Sequence, residues 1–225
     1  MTAFSGVFII SVLEKNIEAN ISQNVSQKAP SLYIIDITQS QLAGVKEITG
    51  PLQAYPIVRG RLLKIDGRDL TKSDDPGITR EFNMTYRDAL INGEEIIRGE
   101  WHGEKSLQKS VSIDENFAKE IGGVKIGDKI EVFIQGLTIE ATISSIRSTD
   151  QSSGLPFFYL VFSSDVLASF PASYFGTIDV PTADIPAIEQ KLGQAYPNII
   201  PIQTAKILDT VSSLVSNLVR VVQFI

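Results

Sequence analysis

The chain has 225 residues, 43% apolar and 20% charged, with a net charge of −6 and no cysteine. That length builds one large domain or two small ones with a sizeable core, and the absence of cysteine excludes a disulfide framework and thiolate chemistry. The acidic balance and the lack of any basic run leave no electrostatic footprint for nucleic acid, so no nucleic-acid partner is expected.

Both ends are apolar. Residues 1–13 read MTAFSGVFIISVL without a charge, and residues 214–225 read LVSNLVRVVQFI. Ends of soluble domains are usually polar and exposed, so these fit a domain placed between two membrane spans. Residues 1–13 fall short of the roughly 20 apolar residues a span needs. They also lack the basic start and small-residue cleavage site of a signal peptide. A first helix is predicted over residues 4–27. Ile10, Leu13, Ile17, Ile21 and Val25 recur at spacings of three and four, with Glu14, Lys15, Asn16, Glu18 and Asn20 on the wet face. Pro30 is its stop.

SLYIIDI (31–37) reads as a strand, and QSQLAGVKEI (39–48) as a short amphipathic helix broken by Gly50 and Pro51. AYPIVRGRLLKI (54–65) reads as a strand with a proline near its start. From Asp66 to Pro171 the style changes. A polar loop, GRDLTKSDDPG (67–77), opens this stretch. The β-branched segments SVSI (110–113), KIEVFIQ (129–135), LTIEATISSI (137–146) and LPFFYLVF (155–162) are predicted strands. Gly136 marks a tight hairpin. Leu137, Ile139, Ala141 and Ile143 alternate with Thr138, Glu140 and Thr142, so one face of that strand is buried. DENFAKEIGG (114–123) is a short helix with an acidic first turn and Gly122 at C′.

The opening order then recurs. SYFGTIDV (173–180) is a strand, TADIPAIEQKLGQAY (182–196) a helix and NIIPI (198–202) a strand. Ile35-Asp36-Ile37 is echoed by Ile178-Asp179-Val180, and Gln53-Ala54-Tyr55-Pro56 by Gln194-Ala195-Tyr196-Pro197. The echo reads as two related halves of one α/β layer, separated by an insertion. The last helix starts near Thr204, a suitable N-cap. Leu208, Val211, Val215, Leu218, Val222 and Ile225 form a heptad seam along it. The first and last helices together suit an antiparallel stalk; the simpler reading is that each packs on its own domain.

Chemistry is sparse. The one histidine, His102, has no serine in a G-x-S-x-G elbow to serve, and Trp101-His102-Gly103 reads as an anchored loop. Asp74-Asp75 lacks the alternating oxygens of a calcium loop. Glu94-Glu95 would point apart, as a solvated charge pair rather than an acid/base dyad. GGVKIGD (122–128) lacks the G-K-[ST] ending of a phosphate loop and follows a helix instead of opening one. No catalytic, cofactor-binding or metal-binding residue is therefore assigned, and the chain is not expected to be an enzyme. Phe157, Phe158, Tyr159, Phe162, Phe170, Tyr174 and Phe175 form a dense aromatic group, most of it core. Trp101, Phe157, Phe158 and Tyr159 are the candidates for an apolar surface that meets a lipid-like substrate or a partner.

SVSIDENFAKEIGGVKIGDKIEVFIQGLTIEATISSIRS (110–148) resembles the V-S-x-x-x-A-x-x-L-G-x-x-x-G-D-x-[IV] pattern in the extracytoplasmic domain of MacB-like ABC permeases, the group that includes the FtsX-like permeases. REFNMTYRD (80–88), GLPFFYLVFSSDVL (154–167), PASYFGTIDV (171–180) and LDTVSSLVSNLVRVVQFI (208–225) resemble the second periplasmic domain of the YbbP-type branch. One departure is Gly122-Gly123, where the pattern has a single glycine.

The resemblance implies an α+β fold. A discontinuous α/β porter-like subdomain (31–65 and 172–203) would be interrupted by a β-rich sabre-like subdomain (66–171). Stalk helices at 1–30 and 204–225 would flank it. It also implies a place on the periplasmic side of the bacterial inner membrane. Its partners would be a cytoplasmic ABC ATPase, the permease's membrane helices, a periplasmic lysophospholipase/thioesterase and a lipid-like substrate. ATP-driven motion would travel through Ile10, Leu13, Ile17, Ile21, Leu208, Val211, Val215, Leu218 and Val222. The alternative is a pure interaction module that recruits and regulates a periplasmic hydrolase. A third reading, an autonomous hydrolase, would have to use His102.

Overall fold

The computed structural model describes residues 29–73, 75–102, 109–150 and 154–223, with residues 212 and 215–223 described by backbone alone. The predicted first helix, with Ile10, Leu13, Ile17 and Ile21, lies outside the described residues. The chain forms β1 (Leu32–Thr38), a 3-10 turn (Gln39–Gln41) running into α1 (Leu42–Thr49), β2 (Gln53–Ile65), β3 (Arg68–Asp69), α2 (Pro76–Thr79), β4 (Glu81–Tyr86) and β5 (Glu94–Gly99). Next come β6 (Ser110–Asp114), α3 (Glu115–Glu120), β7 (Lys129–Ile134), β8 (Leu137–Thr149), β9 (Leu160–Phe162) and α4 (Ser164–Leu167). The last elements are β10 (Ser173–Ile178), α5 (Ile185–Ala195), β11 (Ile200–Gln203) and α6 (Thr204–Gln223).

The two strand–helix–strand segments build one antiparallel sheet in the order β11–β1–β10–β2. Counted within that sheet the order is 4-1-3-2, that of a ferredoxin-like βαββαβ unit. Leu32, Ile34 and Ile37 from β1 meet Val45 from α1, Ile185, Ile188 and Leu192 from α5, and Tyr174 and Ile178 from β10. Ile34 and Ile37 are three apart, yet both are buried. A bulge shifts the register between them, and Asp36 takes φ 63° there. One extra residue restores the inward parity of Ile37, and aspartate tolerates the left-handed backbone.

The long β2 belongs to two structures. Residues 53–57 pair with β10, 58–61 with β4 and 61–65 with β7. The pairings β2–β4–β9–β6–β8–β7–β2 close on themselves, so six strands form a barrel. Two contacts in that ring, β4 with β9 and β6 with β8, are parallel. Closure leaves these six strands no open edge within the ring. Val58, Leu62, Met84, Val111, Ile113, Ile130, Val132, Ile143 and Phe162 fill the interior. At Gly60 a Cβ would stand 2.7 Å from Ile134 Cγ1 and 2.8 Å from the Phe133 carbonyl oxygen. Only glycine lets β2 and β7 approach so closely there.

Local chemistry sets the ends of these elements. Gln135 and Gly136 both have positive φ, the two-residue turn that matches the twist of β7 and β8. Asp114 caps α3 by accepting from the Asn116 and Phe117 amides at 3.0 and 3.1 Å. The Gly122 and Gly123 amides return to the Lys119 and Ala118 carbonyls at 3.1 and 2.9 Å, a Schellman closure that uses both glycines.

The structure corrects two expected elements. Of the strand predicted over 155–162, only Leu160–Phe162 forms. Pro156 offers no amide, and the Phe158 carbonyl accepts from the Arg147 guanidinium rather than from a neighbouring strand. Thr204 is the first residue of α6 rather than its cap, because its hydroxyl donates to the Pro30 carbonyl. Among the described residues no helix is long and apolar enough to cross a membrane.

Candidate functional site

The start of β1 and the start of α6 are fastened to one another. The Thr204 amide donates to the Ser31 carbonyl at 3.2 Å, and the Thr204 hydroxyl to the Pro30 carbonyl. Ser31 Oγ donates to the Ile178 carbonyl at 3.2 Å and accepts from the Val180 amide at 2.8 Å. The chain thus enters the sheet and leaves it at one root. Leu208 and Val211 are half-buried on α6. Val215, Leu218 and Val222 follow along the same helix. Close by, the Tyr33 hydroxyl donates to the Gly154 carbonyl at 2.7 Å and ties β1 to the loop after β8. Burial pushes the Tyr33 phenol up from its ordinary pKa of 10.0.

A cleft of about 1150 Å³ lies where this root, the sheet and the barrel meet. Gln53, Ala54, Tyr55 and Thr177 to Asp179 form one side. Ile91, Asn92 and Gly93, just before β5, form another, and Ala29 and Pro30 bring the root to its rim. The Tyr55 hydroxyl donates to Gln53 Oε1 at 3.0 Å. Burial raises the Tyr55 pKa, opposed by the Thr177 side chain and by the charge of Arg87.

Behind the 91–93 wall stands a buried ion cluster. Glu94 accepts from Arg87 Nη2 and, at 3.1 Å, from Arg147 Nε. Its Oε2 takes the Ile91 amide at 3.3 Å, and the Asp150 amide closes the turn on the Gly93 carbonyl at 2.7 Å. Arg147 also donates to the Ser112 carbonyl at 2.8 Å and to that of Phe158. Burial lowers its pKa to about 10, with Glu94 acting in the opposite direction. Glu94 is therefore not the solvated partner of Glu95 that the adjacent carboxylates suggested. Its side chain is 3% exposed because two guanidinium groups take it inside. Parity along β8 did not reveal Arg147: the register with β6 shifts between Ile143 and Ser145, so Ile146 joins Ile113 and Ile143 in the barrel core and Arg147 lies on the other face.

His102 is buried beside this cluster, with Nε2 3.1 Å from the Arg87 carbonyl oxygen. Trp101 stacks on it at 4.1 Å between ring centroids, and the indole N–H donates to the Asp88 carbonyl at 3.0 Å. The loop is anchored from both residues. Burial lowers the His102 pKa below its ordinary 6.5.

The four residues proposed for an apolar surface do not make one patch. Phe158, at 4% exposure, packs inside a cluster with Tyr55 and Val161, against which Trp101 rests. Tyr159 packs on the barrel core, at 4.6 Å from Phe117 and 6.0 Å from Phe82, and Phe157 meets it edge-on at 4.9 Å. Among the described residues no group of three or more His, Asp or Glu is placed to hold a metal ion.

The fold is similar to that of the periplasmic region of MacB from Actinobacillus actinomycetemcomitans. The two superpose with a TM-score of 0.50 at 12% identity, over 84% of this chain and 95% of that one. A domain of a putative permease from Porphyromonas gingivalis superposes at 0.42 and 12% identity, over 76% of this chain and 88% of that one. No family model matches the chain. In sequence it is similar to a particular protein, the ABC transporter permease YbbP of Escherichia coli K12. The two are 27% identical over 183 residues, 77% of this chain and 22% of the relative, in line with the resemblance read from the sequence. The chain thus spans 22% of the length of that curated relative.

Proposed function

We propose that the chain is the extracytoplasmic domain of an ABC transporter permease on the periplasmic side of the inner membrane. The sheet is its porter-like part and the barrel its sabre-like part. ATP binding and hydrolysis by a cytoplasmic ATPase move the membrane helices. Residues 1–30 and α6 pass that motion to the root at Pro30, Ser31 and Thr204, and so to the sheet and the cleft. The moving domain handles a hydrophobic, lipid-like substrate. The observation that carries this reading is the bonding of Thr204 to Pro30 and Ser31. It supports a reading in which both proposed stalk segments act on the sheet at a single point. The experiment is Val215→Asp in the intact permease. Export of the hydrophobic substrate should fall while ATP binding by the complex stays intact; wild-type export would count against coupling.

A second reading is a docking module for a periplasmic lysophospholipase/thioesterase. It is favoured by the β7–β8 hairpin, where Phe133 is 40% and Leu137 58% exposed. Exposed apolar side chains at a barrel tip suit a partner protein. A pull-down of such an esterase by the purified chain, lost in the double variant Phe133→Ser/Leu137→Ser, would support it.

A further inference from the structure

We infer that Asn92 is a site of spontaneous covalent modification, and that its conversion to isoaspartate loosens the turn that anchors Glu94 of the buried ion cluster. This goes beyond the transport reading and does not rest on it. Asn92 stands before Gly93, and both are exposed. Every other asparagine of the chain is followed by Ile, Val, Met, Phe or Leu. Asparagine is a labile residue, and its decay needs the next residue's amide nitrogen to reach the side-chain Cγ. A bulky side chain on that next residue stands in the way; glycine has none and lets the backbone turn. Other asparagines are also held by the fold. Asn83 lies in β4 and Asn116 in α3. Asn198 donates to the Asp36 carbonyl at 3.0 Å and accepts from Gln41 Nε2 at 2.8 Å.

Residues 91–94 form a turn in which the Glu94 amide donates to the Ile91 carbonyl at 3.2 Å and Gly93 takes φ 85°. Positive φ at the third residue is the type II pattern. The bonds of this turn use the Glu94 amide and the Gly93 carbonyl, which accepts from the Asp150 amide; the Gly93 amide is not among them. In the reaction that amide gives its proton to hydroxide, and its nitrogen attacks Asn92 Cγ. A C–N bond forms, the bond from Cγ to the side-chain nitrogen breaks, and ammonia leaves with a proton from water. The succinimide ring then takes up one water. Opening at one carbonyl gives aspartate. Opening at the other gives isoaspartate, whose main chain is one methylene longer. Both products carry a new carboxylate. Two bonds span the altered residues: the Glu94 amide to the Ile91 carbonyl, and the Ile91 amide to Glu94 Oε2 at 3.3 Å. An extra methylene between these partners moves them apart, and the new carboxylate repels that of Glu94. Arg87 and Arg147 share the Glu94 carboxylate, so the loosening reaches the cluster.

The test incubates the folded, purified 225-residue chain in mildly alkaline buffer and follows its tryptic peptides by mass. The peptide 88–98 holds Asn92 and no other asparagine. Exchange of amide for acid changes its mass, whereas isomerisation at Asp66-Gly67 changes none. Asn92 should convert at least about ten-fold faster than any other asparagine, a barrier lower by about 1.4 kcal/mol. Asn92→Gln should leave the peptide mass unchanged, because glutamine would have to close a six-membered ring. The isoaspartyl product, separated from the aspartyl one by chromatography, should unfold at a lower urea midpoint and exchange the Ile91 and Glu94 amides faster. Asn92→Asp adds the charge without the methylene and should keep most of that protection. Conversion no faster than at other asparagines, an isoaspartyl chain with unaltered exchange at Ile91 and Glu94, or an equal loss of protection in Asn92→Asp would overturn the proposal. The experiment involves neither ATPase nor membrane helices, so its failure leaves the coupling reading to be judged separately.

Discussion

Arg147 Nε stands 3.1 Å from Glu94 Oε1, with side chains 0% and 3% exposed, and Arg87 reaches the same carboxylate from the other side. Two cations and one anion are thus held together under the cleft wall. Buried charges are tolerable only while paired. Glu94→Ala should therefore cost about 3–5 kcal/mol in urea unfolding, because it strands two guanidinium groups. Pairing Glu94→Ala with Arg147→Met should recover part of the loss, since an apolar side chain of similar length can fill the space of a removed charge. Additive losses in the double variant would mean that the two residues act independently.

His102 lies with its ring beside the Arg87 carbonyl and near the charges of Arg87 and Asp88, and burial holds its pKa below 6.5. The folded state then binds fewer protons than the unfolded state as pH drops below 6.5. The sign follows from linkage: this contribution is complete above the unfolded pKa and is lost as pH falls toward the lower folded value. His102→Gln should lose less stability than the wild type across that interval in urea titrations at a series of pH values. Parallel curves would rule out the histidine as the source.

Gly60 is where β2 passes between β4 and β7. An added methyl there meets the Phe133 carbonyl, which cannot turn aside as a side chain can. Gly60→Ala should destabilise the chain by about 1–3 kcal/mol by overpacking. The loss should appear as a lower urea midpoint with an unchanged slope.

Tyr33→Phe removes the hydroxyl that holds the Gly154 carbonyl and leaves the ring in place. The expected cost is modest, about 0.5–1.5 kcal/mol. The local effect should be larger: hydrogen exchange at Gly154 and Leu155 should speed up, while Ile34 and Leu192 in the sheet core keep their protection. Unchanged exchange in that loop would mean the clasp does not restrain it.

Much of the sheet was legible because its elements carry local signals. The strands at 31–37, 54–65 and 173–180 and the helices at 39–48 and 182–196 recur close to where pattern and breakers put them. The hairpin at Gly136 and the closure at Gly122-Gly123 were fixed by glycine chemistry alone. Barrel closure was not legible. It depends on the parallel meetings of Thr85 with Val161 and of Val111 with Ile143, and no local pattern encodes which distant strands meet. β5 escaped notice because EEIIRG opens on two acids, and the reason Glu94 can turn inward lies in Arg87 and Arg147. The cleft escaped for the same reason: its walls come from segments near residues 30, 54, 92 and 178, joined only by the fold.

The most direct test is of motion at the stalk. The chain has no cysteine, so Asn20→Cys and Asp209→Cys are the two label sites within it. Their separation is read in the intact permease with its ATPase, with and without bound ATP. A domain driven through its stalk should show a change on the order of 5 Å, about one helical turn. One unchanged distance distribution in both states would contradict the coupling of this domain to ATP.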